Sequence, residues 1–173
     1  QIDGTPITRP SNFCDLCSNI IRKTEKGLAN CGRSDAALGA LCVDGPIVKP
    51  CLSGGLWDAG AGISVGGRHI ANWLIGQVRD ETQTEEKMRE YAREIGADEQ
   101  GFLAAFNEVP AMSLDKFEKI ADALFLLAEQ LSTLAYQNVQ QARYITERKQ
   151  VEEAMRESEE RFANAFSFAV VGM

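Results

Sequence analysis

Histidine is almost absent: His69 is the single one among 173 residues. No Ser/His/Asp set and no paired-carboxylate arrangement stands out, so nucleophilic and acid–base catalysis have little footing, and the chain reads as non-enzymatic. His69 follows Gly66-Gly67-Arg68 at a hairpin edge, where an exposed residue is expected. Basic residues are in deficit as well, 18 Lys and Arg against 25 Asp and Glu for a formal charge of -7. Nucleic-acid binding draws on Lys and Arg gathered on one face, and with no basic stripe no nucleic-acid partner is expected. No apolar run approaches the roughly 20 residues of a membrane helix, and Gln1-Ile2-Asp3-Gly4-Thr5-Pro6 has neither the basic nor the apolar part of a secretory signal. An initiator Met is missing too, and the chain reads as a piece of a longer protein.

Cysteine runs out early. Cys14, Cys17, Cys31, Cys42 and Cys51 all precede Asp58, and none follows. Thiols gathered in one third of a chain suggest a site, whereas cysteines used only as small core residues should be scattered. An odd number without a secretory signal points to a reducing compartment, hence a cytoplasmic location for this part of the protein.

Asp3-Gly4 is a turn signal, followed by short extended residues broken by Pro6 and Pro10. Phe13, Leu16, Cys17, Ile20 and Ile21 recur at helical spacing, with Ser11 or Asn12 as cap and Gly27 beyond the end. Cys14 and Cys17 then lie on neighbouring positions of one helical face. Ser34-Asp35 could cap a second helix through Ala36, Leu38, Leu41 and Cys42, ending at Asp44-Gly45, with Cys42 in the core. Pro46-Ile47-Val48 opens an extended segment, and Ser53-Gly54-Gly55 is a loop in which backbone can approach a ligand.

Leu56 to Val65 and Arg68 to Val78 read as a hairpin joined by Gly66-Gly67, with a possible bulge at Gly76 and Trp73 in the core. Thr84 caps a helix carrying Met88, Tyr91, Ala92 and Ile95 that Gly96 stops. A short helix after Asp98 buries Phe102, Leu103 and Phe106, and Ser113 opens a long one. Phe117, Ile120, Leu124, Leu127, Leu131 and Leu134 step by three and four, with Asn138 on the next a position. Two readings are open: a coiled-coil seam, or a helix packed on the sheet. Gln140 to Arg161 is too charged for core and is a paired or a solvated helix.

Asp3-Gly4-Thr5-Pro6-Ile7-Thr8, Phe13-Cys14, Cys31-Gly32-Arg33-Ser34-Asp35, Pro50-Cys51, Gly55-Leu56-Trp57-Asp58 and Gly76-Gln77-Val78 together resemble the sensory domain named after the propanediol-utilisation regulator PocR. The resemblance implies an α+β fold: a PAS-like antiparallel sheet flanked by helices over residues 1–134, with a long C-terminal signalling helix. Ile145-Thr146-Glu147-Arg148-Lys149-Gln150 and Glu157-Ser158-Glu159-Glu160-Arg161-Phe162 are similar to the helical linker of sensor histidine kinases, which places a coiled-coil linker at 135–161 and the start of a PAS domain at 162–173.

What the resemblance implies is a sensory input module of a signal-transduction protein, with PAS and kinase modules downstream. Its ligand would be a small organic molecule, a short alcohol, diol or hydrocarbon derivative, and its C-terminal helix would pair in a homodimer. Cys14, Cys31, Cys51, Trp57 and Asp58 are the expected ligand-binding residues, Trp57 as a pocket floor and Asp58 as acceptor for a ligand hydroxyl. Sheet core and turn are the plainer roles for these last two. Cys14, Cys31 and Cys51 match the family motif and Cys17 sits one turn from Cys14, so the alternative is a metal or redox sensor in which four thiolates hold zinc or an iron-sulfur cluster. Leu52 stands where many members carry histidine, which weakens the direct transfer of a mixed Cys/His metal site.

Overall fold

The computed structural model describes residues 7–8, 12–39 and 44–171. The expected turn at Asp3-Gly4, and Cys42, lie outside them. The chain forms two compact units, Gln1–Ser132 and Thr133–Met173. The first is α+β, with a three-stranded antiparallel sheet in the order β1 (Ile47–Pro50), β2 (Trp57–Val65), β3 (Arg68–Val78). Gly66 (φ 57°) and Gly67 (φ 77°) make the expected β2–β3 turn, since a two-residue connection of this twist needs positive φ at both positions.

The first helical segments differ from the sequence reading. Phe13 to Ile21 does not continue to Gly27: a π-helical turn, Leu16–Ile20, passes into a 3-10 turn, Ile21–Lys23. Helix α1 then runs Glu25–Leu38, so Ser34 and Asp35 lie inside it rather than capping a later helix. Its cap is Thr24, whose Oγ1 accepts the Gly27 N–H at 3.1 Å. Gly27 is no terminator; a Cβ there would fall on the Ile21 carbonyl oxygen, so glycine lets the new helix start beneath the preceding turn. The inward face of α1 is Gly27, Asn30, Cys31, Ser34 and Leu38, mostly small or polar, which hid its helical period from a scan of apolar residues.

Helices α2 (Glu85–Ile95) and α3 (Glu99–Asn107) follow their local signals. Thr84 and Asp98 cap them through Lys87 N–H and Gly101 N–H, and Gly96 closes α2 with φ 73°. They bury Met88, Ile95 and Phe102 with Leu16, Ile21 and Leu56. Tyr91 meets Phe102 edge to face at 6.2 Å.

The central strand β2 is covered on both sides. Ala59 and Ala61, with Trp57 and Ile63 at the margins, pack toward α4 (Leu114–Val171) through Phe117, Ala121, Leu124 and Ala128. The Ser132 hydroxyl accepts the Ser64 N–H at 3.0 Å. On the opposite side, a Cβ at Gly60 would fall on the Leu38 carbonyl of α1 and within 2.8 Å of Leu74. The six residues of the expected seam therefore divide: Phe117 and Leu124 are sheet-facing, whereas Ile120, Leu127, Leu131 and Leu134 are exposed. Trp73 is also corrected. It sits on the edge strand and is 37% exposed. In the second unit, the described residues are helical to Val171. Among the described residues no helix is long and apolar enough to cross a membrane.

Gly60→Ala should lower the free energy of unfolding by about 1–3 kcal/mol, because the added methyl has backbone rather than a flexible side chain to displace. Gly32→Ala, on the exposed side of α1 with open space around it, should raise it by about 0.5–1 kcal/mol. Urea midpoints of the two variants moving in the same direction would show that the helix–strand contact is misplaced.

Candidate functional site

Trp57 and Asp58 are adjacent on β2 and so point to opposite faces. That alternation separates two residues expected to share one pocket, and it creates two sites. On Asp58's face gather Cys14, Cys17, Cys31 and Cys51, on four separate stretches of backbone only if Cys14 and Cys17 are counted apart; these two belong to one turn, closed by Ser18 N–H on the Cys14 carbonyl at 3.0 Å. Cys31 comes from α1 and its thiol donates to Ser53 Oγ at 3.2 Å. Ser53 Oγ in turn donates to the Gly27 carbonyl at 3.1 Å, and the Cys51 thiol donates to the Ser53 carbonyl at 3.3 Å. The loop Cys51 to Leu56 is tied to α1 by Leu52 N–H donating to Ser34 Oγ at 2.8 Å.

A β-bulge locks Asp58 and Cys14 together. Trp57 pairs with Val78 but Asp58 pairs with Gly76, leaving Gln77 over, at φ 70°. Gln77 N–H donates to Asp58 Oδ1 at 2.8 Å, and Gln77 Oε1 accepts the Cys14 N–H at 2.7 Å. A non-glycine residue at such a φ stores of order 1–3 kcal/mol of strain, which these two bonds offset. Gly76 was expected as the bulge, while Gln77's role as a clamp left no mark on the local sequence.

Arg22 was also missed. It pairs with Asp35 at 2.9 Å and lies over the Phe13 ring at 4.7 Å, and its buried Nε has no hydrogen-bond partner among the described residues. A cation placed this way was invisible in a sequence without an Arg motif, since its partner comes 13 residues later.

Burial pushes Asp58 up to about 6, against the opposing effect of the Gln77 N–H. Burial likewise raises Cys31, and raises Cys51 to about 12. Cys14 is lowered, chiefly by the hydrogen bond from the Cys17 thiol, and Cys17 is raised by the same bond. Among the described residues no three His, Cys, Asp or Glu side chains are disposed to hold a metal ion. The arrangement does not fit a closed four-thiolate centre.

Trp57 lines a cleft of about 550 Å³ with Pro50, Gly54, Gly55, Thr82, Gln83, Lys87, Met88 and Tyr91, the last two also packing in the core that holds Cys17 and Cys31. Trp57 Nε1 donates to Asp80 Oδ2 at 2.9 Å, and Gln83 Nε2 donates to the Gly55 carbonyl at 2.8 Å. Sequence reasoning found Trp57 and the Gly54-Gly55 loop; the wall from α2 needed the fold. A concave, largely apolar site of this size with a few fixed polar groups has the character of a small-molecule site.

The domain is thus α+β, with a cleft at the Trp57 end of its central strand and thiols near Asp58. Comparison with known families is specific: the family described as the sensory domain found in PocR matches residues 1–136, and the chain belongs to it. It is therefore a sensory domain. The comparisons with curated proteins and with solved structures give no match.

The buried Asp58 sets a pH dependence. Its folded pKa of about 6 lies above the usual 3.8, so the native state holds the extra proton; the stability it confers is present below about pH 4 and is lost as pH rises through about 6. Relative to wild type, Asp58→Asn should gain on the order of 2–3 kcal/mol between about pH 4 and pH 7. Parallel stability–pH curves for the two proteins would refute the burial of a titrating carboxyl.

Proposed function

We propose that the chain is a sensory input module of a signal-transduction protein, of the sensor histidine kinase kind, that binds a small organic molecule in the Trp57 cleft. The observation that carries this reading is the double role of Trp57. It lines the cleft and also packs against the cluster of Ala59, Val78, Phe117 and Ala121, the last two at the root of α4. A ligand resting on the indole acts on the helix that leaves the sheet. The cleft's apolar surface, from Trp57, Met88, Tyr91 and Pro50, suits a short hydrocarbon chain, and Thr82, Gln83 and Lys87 suit hydroxyl or other polar substituents. The switch moves only by the difference in ligand affinity between its two states, so a binding mode that leaves the indole where it is transmits nothing. In this reading the domain binds and relays without catalysing.

The relay uses a pair of chains. Ile120, Leu127 and Leu131 form an exposed apolar stripe on α4, beside the face that packs on the sheet, and Leu134 and Asn138 continue its three-and-four spacing in the sequence. A second copy of the chain covers that stripe, and PAS and kinase modules follow in the longer protein.

A panel of short alcohols and diols, propane-1,2-diol first, should include a compound that stabilises the protein by about 2.7 kcal/mol at about 100 times its Kd, read as a rise in Tm. Trp57→Phe should weaken that effect and Gln83→Leu should change which substituents are accepted. No shift across the panel, together with unchanged tryptophan fluorescence, would overturn the cleft as the sensing site. In sedimentation experiments the wild-type chain should be a dimer that Leu127→Asp with Leu131→Asp dissociates, while Asn138→Leu should tighten the pair and loosen its register. A wild-type monomer at high concentration would remove the paired helix from the account.

A further inference from the structure

The Trp57 cleft leaves the Cys14–Cys17 pair without a role. Four observations bear on what the pair can do. Both are free thiols, and they share one turn that Ser18 N–H closes on the Cys14 carbonyl at 3.0 Å. Cys14 is partly exposed, whereas Cys17 is buried, so only one of the two is within easy reach of a solute. They stand three apart on a helical turn, which puts their Cα atoms roughly 5 Å apart, inside the roughly 4.4–6.8 Å that a disulfide spans. Cys17 also lies in a π-helical turn, a rare and irregular geometry that recurs at functional positions.

We propose that Cys14 and Cys17 form a reversible dithiol that reacts with hydroperoxides, giving the domain a second, oxidative input beside the ligand cleft. The Cys14 thiolate attacks one peroxide oxygen, so that an S–O bond forms as the O–O bond breaks. The departing oxygen takes a proton and leaves as water, or as an alcohol from an organic peroxide, and Cys14 has lost two electrons to become the sulfenic acid. The Cys17 sulfur then attacks the Cys14 sulfur. An S–S bond forms, the S–O bond breaks, and the hydroxide leaves with the Cys17 proton as a second water. A dithiol reductant reverses the bond by exchange.

The structure also shows where the change is felt. Cys14 N–H is held by Gln77 Oε1, and Gln77 N–H by Asp58 Oδ1, next to Trp57 on β2. Bridging Cys14 to Cys17 bears on the bulge that sits across from Trp57.

The test treats the intact chain with hydrogen peroxide, then alkylates free thiols and maps tryptic peptides. Cys14 and Cys17 fall together in the peptide ending at Arg22, apart from those of Cys31, Cys42 and Cys51. The expected result is that this peptide loses both alkylation sites and two hydrogens, and recovers them with dithiothreitol. With Cys17→Ser the sulfenic acid should persist and be trapped at Cys14 by dimedone; with Cys14→Ser neither adduct nor bond should form. Retention of both alkylated thiols in the wild-type peptide after peroxide would overturn the proposal, as would a bond from Cys14 to any other cysteine. The wild-type map decides even where a variant folds poorly, and it is independent of whether the cleft binds a diol.

Discussion

The contact on which the rest depends is the approach of α1 to the middle of β2 at Gly60. A methyl group there would meet the Leu38 carbonyl, so the helix can lie this close only over a glycine. That approach carries Asn30, Cys31 and Ser34 down onto the loop at Cys51 to Leu56, where Ser34 accepts the Leu52 N–H and Cys31 donates to Ser53. Were α1 held farther out, these groups would be buried polar atoms without partners, each costing about 1–3 kcal/mol. The polar inner face of α1 and the glycine beneath it are therefore one feature seen from two sides.

From this contact the division of labour on β2 follows. A strand alternates its side chains, and a central strand with both faces covered must choose two different environments for neighbouring residues. The α4 side takes Ala59 and Ala61, small enough for the helix to close over them, with Trp57 at the rim where the sheet ends and the cleft begins. The α1 side takes Asp58 among thiols, a partly buried carboxyl whose pKa desolvation raises and whose Oδ1 accepts the Gln77 N–H. The loop of Gly54 and Gly55 borders both: it walls the cleft while Cys51 and Ser53 of the same loop face the thiols. The cleft and the thiols thus border the same strand and loop.

Much was legible beforehand. The Gly66-Gly67 turn, the cap at Thr84, the helix after Asp98 and the stop at Gly96 rest on signals within a few residues, and so they were visible without the fold. The family match over residues 1–136 agrees with motifs that are scattered along the chain but gather around Asp58 in space: Phe13-Cys14, Pro50-Cys51 and Gly76-Gln77. The reading went astray where a segment's period was carried by polar residues, as in α1, where a partner lay far off in sequence, as for Arg22 with Asp35, and where an apolar residue fell on a sheet edge, as Trp73 does.

By itself, then, the sequence determined the hairpin, the helix starts and stops after Thr84 and the concentration of thiols before Asp58, because each rests on the conformational preference of a short run or on composition, while the α+β class followed from the family resemblance. Only the tertiary structure decided that Trp57 and Asp58 face opposite sides of β2, that α1 begins at Glu25, that Phe117 and Leu124 pack on the sheet while Ile120 and Leu127 stay open, and that Gln77 clamps Cys14 to Asp58. The physical reason is that a side chain's face on a strand or helix is meaningful only against what packs there, and that packing joins residues tens of positions apart.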